Sequence, residues 1–232
     1  AAETASGNRY ADLRFLRLLA PAASFTTKQD DGKIISISAA GSSEPVLLPL
    51  SRVAPDPLAD VSPAVEMPGW RTILFNDDLP PLLATIRQWP GVHVWQPGRS
   101  YEGRPLWSVA LTSHGISGRW SPGKLSARKP SVVIAARHHA NEVSSTTAAF
   151  TLIEAVQRDR SLLGDASIVL IPVENPDGVA FHETLSAAHP FWKHHPARYN
   201  AVGLEYGLHA FNRATPFGEA RVRREAWERW RP

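Results

Sequence analysis

Two uninterrupted apolar runs dominate the second half of the chain. Residues 131–136 read SVVIAA and residues 167–173 read SIVLIPV. Runs of this length without polar alternation predict strands buried on both faces. Between them, Ala148, Ala149, Leu152, Ile153 and Val156 recur at helical spacing, which predicts a helix over residues 143–157. Strand, helix and strand joined by short connections make a βαβ unit, whose parallel strands are covered on both faces. Upstream, Asp77 and Asp78 precede Pro80, Pro81 and an apolar face of Leu82, Leu83, Ile86 and Trp89. Those are the start signals of a short helix. Residues 71–75, 92–95 and 106–111 read as further strands, the last two joined across Ser100-Tyr101-Glu102-Gly103-Arg104. Residues 216–230 read as a terminal helix. The fold class predicted is α/β, a three-layer α/β/α arrangement around a mostly parallel or mixed sheet that this chain leaves incomplete.

The first 70 residues have a different character. Residues 33–38 (KIISIS) and 46–50 (VLLPL) read as short strands between Gly- and Ser-containing turns. Residues 10–19 (YADLRFLRLL) suit a short helix or a strand. The stretch 55–68 is rich in Pro and Ala with little periodicity. This predicts an accessory β-rich region and linker over 1–70, followed by a second region over 71–232. No internal repeat is visible.

Composition narrows the chemistry. Hydrophobic residues make up 43% and charged residues 20% of 232, as in a globular protein. A net charge of +3 gives no reason to expect nucleic acid as a partner. No apolar stretch is long enough for a membrane span. Arg221, Arg223, Arg224, Arg229 and Arg231 interleave with Glu219, Glu225 and Glu228, which reads as a solvated helix face. There is no cysteine, so any metal must be held by His and carboxylate. The chain opens on Ala1 and its single methionine is Met67, from which the expectation is a piece of a longer product.

The polar cluster Arg137-His138-His139-Ala140-Asn141-Glu142 follows the first apolar run. Ligand sites of open α/β sheets collect at the carboxyl ends of strands. A second polar segment, Glu174-Asn175-Pro176-Asp177-Gly178, follows the other run, so parallel neighbouring strands would bring both to one sheet edge. His139 and Glu142 can grip a zinc ion when the His closes a strand and the Glu opens the next helix. On its own the pair equally suits a histidine at a helix start with an acid at the positive end of the dipole. His138 competes with His139, because a His and a Glu four apart suit a continuous helix. The strand immediately before favours His139 and leaves His138 as a supporting or exposed imidazole. Asn-Pro-Asp-Gly alone reads as a turn.

The order strand, His-x-x-Glu, helix, strand, Asn-Pro-Asp-Gly resembles the zinc carboxypeptidases of the M14 group. Residues 136–142 are similar to that family's first zinc segment, and 171–178 to its next characteristic segment. The upstream helix and strand and Ser100-Tyr101-Glu102-Gly103-Arg104-Pro105 are also similar to its opening elements, so the resemblance covers roughly residues 73–232. It implies a Zn2+ cofactor, with His139 and Glu142 as the first two ligands. It implies hydrolysis of the C-terminal peptide bond of a peptide or protein. Arg198 is the implied partner of the substrate's terminal carboxylate, with Asn200 assisting. Lys193 stands near the family's oxyanion-stabilising position.

The resemblance also implies what to expect beyond Pro232. The family's third ligand is a His on a later strand, its general base a still later Glu, and a closing Tyr also comes late. His182, His189, His194, His195 and His209 remain, but none follows a buried strand in that order. The expectation is a metallocarboxypeptidase in the full-length parent, with this chain inactive alone. Two alternatives stay open: a related zinc deacylase acting on N-acyl amino acids, and a non-catalytic binding domain of the same fold.

Overall fold

The computed structural model describes residues 56–64, 66–69, 71–113, 121–191, 194–199, 212 and 214–232, with the backbone of three strands at 25–30, 34–39 and 46–49. The chain divides into two compact units, Ala1–Ala59 and Asp60–Pro232. In the first unit β1 (Phe25–Asp30), β2 (Ile34–Ala39) and β3 (Val46–Pro49) form an antiparallel sheet in that order. The apolar pattern marks β2 and β3. It passes over β1, whose sequence FTTKQD carries one large apolar residue. The element expected at 10–19 lies outside the described residues.

The second unit is built on a mixed four-stranded sheet. Its strands are β4 (Val92–Arg99), β5 (Pro105–Leu111), β6 (Ser131–Ala135) and β7 (Ser167–Ile171). Their spatial order is β4-β5-β7-β6, antiparallel except for the β6/β7 pair. Among the described residues five helices flank it: α1 (Leu79–Ile86), α2 (Pro122–Arg128), α3 (Ser144–Arg158), α4 (Pro176–Ala188) and α5 (Gly218–Trp230). Helix α3 is the crossover between the parallel strands, as the apolar pattern requires.

Side-chain alternation splits each strand between two faces. On one face Ala110 and Val169 pack with Leu125 of α2 and the fully buried Trp230 of α5, beside Trp95 and Val133. Toward the strand ends Leu106, Ile171 and Ala135 meet Val222 of α5. The alternate residues Val109, Leu111 and Leu170 are also completely buried, so the sheet is covered on both sides. On the helices, Leu83 and Ile86 of α1 and Phe150, Ile153 and Val156 of α3 are buried. Helix α5 starts hard against the end of β4. A Cβ on Gly218 would fall 1.6 Å from the carbonyl oxygen of Arg99, so only glycine permits that approach.

Three expectations need correction. Residues 71–75 are not a strand. The carbonyls of Thr72 and Leu74 accept hydrogen bonds from the Thr147 hydroxyl and the Arg137 guanidinium, so they have no ladder to join. Asn-Pro-Asp-Gly is a helix start rather than a free turn. Asn175 is the N-cap of α4, its side-chain oxygen accepting from Gly178 N at 2.8 Å, and Pro176 fills N1. Helix α5 is not simply a solvated face, because Glu219 is fully buried and Arg223 turns inward. Its outer side is solvated as expected and carries an i,i+4 pair, Arg229–Glu225 at 2.8 Å. No helix among the described residues is long and apolar enough to cross a membrane.

Candidate metal centre

The parallel pairing of β6 and β7 continues past both strands and assembles the site. Ala136 N donates to Ile171 O at 2.9 Å, Glu174 N to Ala136 O at 2.9 Å, and Asn175 N to Arg137 O at 3.3 Å. The two polar segments therefore lie side by side at the carboxyl ends of the strands, as ligand sites do in open α/β sheets.

From Arg137 the backbone turns sharply, with a positive φ of 55°. Glu142 N donates to His139 O at 3.0 Å, and α3 begins two residues later. Ser145 ties this turn together. Its hydroxyl donates to Glu142 O at 2.9 Å and accepts from Arg137 N at 2.9 Å. The result is the convergence the sequence suggests: His139 Nδ1 lies 3.0 Å from Glu142 Oε1. The Arg198 guanidinium reaches the same carboxylate, Nη1 to Oε1 at 3.3 Å. Lys193 and Asn200 lie outside the described residues.

His138 points elsewhere. Its Nδ1 is 3.2 Å from Glu174 Oε2 and 3.0 Å from Arg223 Nη2, and Arg223 also donates to Glu174. Arginine has donors only, so it bridges the imidazole and the carboxylate. Glu174 is 1% exposed, and its Oε1 has no hydrogen-bond partner among the described residues. Sequence reading missed this trio. A carboxylate straight after a fully apolar strand was the available signal for Glu174. Nothing local marked Arg223, which is 49 positions away in the chain.

Arg137 was also missed as a structural hub. Its side chain is buried, with Nε donating to Ala140 O at 2.6 Å and Nη1 to Leu74 O at 2.7 Å. Burial lowers its pKa to about 10, which leaves it charged at neutral pH. One of its donors thus pins the carbonyl next to His139. Helix α4 closes on the same loop. The Asn175 amide donates to the carbonyls of His138 and Tyr199 at 3.2 and 3.0 Å. A Cβ on Gly178 would lie 2.9 Å from Ala140 Cβ and 2.6 Å from Asn175 Nδ2. Asp177 is buried and holds the β4–β5 turn, accepting from the Ser100 hydroxyl at 2.6 Å, Glu102 N at 2.9 Å and Arg104 at 2.8 Å. That contact raises the Arg104 pKa, through its bonds to Glu102 first and Asp177 second.

The donor atoms suit zinc. Imidazole nitrogen and carboxylate oxygen bound at about 2.0–2.2 Å to one tetrahedral ion lie roughly 3.3 Å apart. The observed 3.0 Å between His139 and Glu142 is close to that separation. Among the described residues no third His, Asp or Glu completes a metal-holding group. Of the remaining histidines, His182 and His194 contact one another instead, and His209 lies outside the described residues.

Comparison with known proteins gives a consistent picture. The family model for zinc carboxypeptidases matches residues 84–213, more than half of the chain. A metallo-carboxypeptidase from Burkholderia cenocepacia is 22% identical, the match covering 66% of this chain and 37% of that one with a TM-score of 0.50. A protein assigned as carboxypeptidase A from Shewanella denitrificans is 16% identical, covering 89% and 45% with a TM-score of 0.52. A metallo-carboxypeptidase from Pseudomonas aeruginosa is 21% identical, covering 66% and 36% with a TM-score of 0.48. The chain spans less than half the length of these structures, and at such identities the likeness to the Burkholderia and Shewanella proteins shows the fold alone. No curated protein matches the chain significantly.

Proposed function

The chain belongs to the zinc carboxypeptidase family, and from that premise we propose that His139 and Glu142 are two ligands of a zinc centre that hydrolyses C-terminal peptide bonds. The observation carrying this reading is the 3.0 Å approach of His139 Nδ1 to Glu142 Oε1 at the carboxyl end of β6. We read residues 71–232 as the N-terminal portion of the peptidase domain, and 1–70 as an accessory β-rich region with a linker.

Zinc held there would polarise a scissile carbonyl and lower the pKa of a bound water toward ~7. His139 would present neutral Nδ1 and Glu142 one carboxylate oxygen. Arg198 sits beside Glu142 with a guanidinium fork that matches a substrate's terminal carboxylate. Asn200 would assist it, and Lys193 would neutralise charge developing on the carbonyl oxygen. No described residue is assigned as the general base.

The reading is tested with the intact protein on three substrates: a blocked dipeptide with a free C-terminus, the same peptide amidated, and an N-acyl amino acid. We expect release of the C-terminal residue from the first alone, abolished in Glu142→Gln. Cleavage of the N-acyl amino acid with no peptide turnover would assign the deacylase chemistry instead. No turnover of any of them by a zinc-loaded protein would leave a binding domain.

A further inference from the structure

Helix α4 carries His182 and, one turn later, Ser186 on the same face. Both lean on His194, which holds a positive φ of 23° unusual for a residue with a Cβ. Four contacts run through them in series. Arg137 Nη2 is 3.4 Å from His182 Nδ1, and His182 Nε2 is 3.3 Å from Ser186 Oγ. Ser186 Oγ is 3.3 Å from His194 Nδ1, and His194 Nε2 is 2.7 Å from His189 O.

The two ends of this series fix its direction independently. A guanidinium has no acceptor, so His182 Nδ1 accepts and the His182 proton is on Nε2. A carbonyl has no donor, so His194 must carry a proton on Nε2, and in a neutral ring that leaves Nδ1 to accept. With both rings neutral, Ser186 accepts from His182 and donates to His194. Burial, then the charge of Arg137 and the neighbouring His194, lowers the His182 pKa to about 4, in keeping with a neutral ring.

The series starts beside the candidate centre and is joined to it again through the backbone that follows His194. Arg137 holds Ala140 O, next to His139. His194 caps the short 3-10 turn His195–Arg198, and Arg198 closes the circuit on Glu142. We propose that His182, Ser186 and His194 are positioning residues, a polarised relay of two neutral Nε2–H imidazoles that holds the Arg198 segment against the His139/Glu142 pair. Its bearing on metal binding rests on the function proposed above.

The test uses nitrogen-detected histidine NMR and amide hydrogen exchange on the intact protein, Ser186→Ala and Ser186→Thr, with zinc affinity by chelator competition. We expect both imidazoles to be neutral Nε2–H tautomers at pH 7. Ser186→Ala should disturb both ring spectra, speed exchange at Ala197–Tyr199 and, by loosening Arg198 from Glu142, weaken zinc binding about tenfold, the low end of what losing a ligand's own hydrogen-bond partner costs. Ser186→Thr, which keeps the hydroxyl, should restore all three. An Nδ1–H or charged ring at pH 7 would overturn the relay. So would exchange in Ser186→Ala equal to the parent, or a threonine variant no better than alanine. A parent protein that binds no zinc would count against the metal reading, while tautomers and exchange would still decide the relay.

Discussion

Buried charge decides what single residues do here. Glu174 is almost completely buried, with one oxygen lacking a hydrogen-bond partner among the described residues, so it depends on Arg223. Removing one member of a buried pair costs about 3–5 kcal/mol, whereas replacing both can be neutral. Arg223→Met should therefore lower stability by about 3 kcal/mol in urea unfolding, and adding Glu174→Leu should recover most of it. Equal losses in the single and double variants would refute the pairing. His182 makes a second case, with the opposite need. Its pKa falls from 6.5 to about 4 on folding, because burial first, then the charge of Arg137 and the neighbouring His194 ring, disfavour the imidazolium. The unfolded chain then binds the proton more tightly. The contribution of neutral His182 is complete above pH 6.5 and is lost as pH falls through the window down to about 4. Urea midpoints across that window should fall less steeply in His182→Gln than in the parent, and parallel slopes would exclude the assignment.

Elements show which parts of a sequence announce themselves. The apolar runs of β6 and β7 and the helical spacing in α3 were legible, because each buries one continuous surface. Helix α4 was not. Its first turn buries Pro176, Asp177 and Gly178, a polar and small-residue surface with no apolar period, and Asn-Pro-Asp-Gly reads locally as a turn. The false strand at 71–75 arose from the opposite cause. Its apolar residues are real, but its carbonyls bind side chains that come from 63 and 75 positions away. At the site, His139 and Glu142 were legible because they are three residues apart on one loop. Arg137, Glu174, Arg223, His182 and His194 were not, because their contacts depend on tertiary packing. The close approach of α4 is itself testable. Gly178→Ala would force its Cβ toward Ala140 and the Asn175 amide, both under 3.0 Å away. We expect a loss of about 1–3 kcal/mol in thermal unfolding, as for other overpacked sites. Unchanged stability would show that helix and loop are not in contact.

Across the whole second unit, one parallel strand pair and three tethers create a single site. The β6/β7 pair sets two polar segments side by side, α5 reaches them through Arg223, and α4 through Asn175 and Gly178. The 194–199 segment adds Arg198 to the edge of the pair. These elements lie within or beside the region that matches the zinc carboxypeptidase family, and the sheet they share has the fold of the larger solved members. The central claim is that His139 and Glu142 bind zinc. The most direct measurement is the zinc content of the intact protein after equilibrium dialysis, beside that of His139→Ala. We expect zinc bound by the parent at one per molecule and at least tenfold weaker binding in His139→Ala. Equal zinc content in the two proteins would contradict the account.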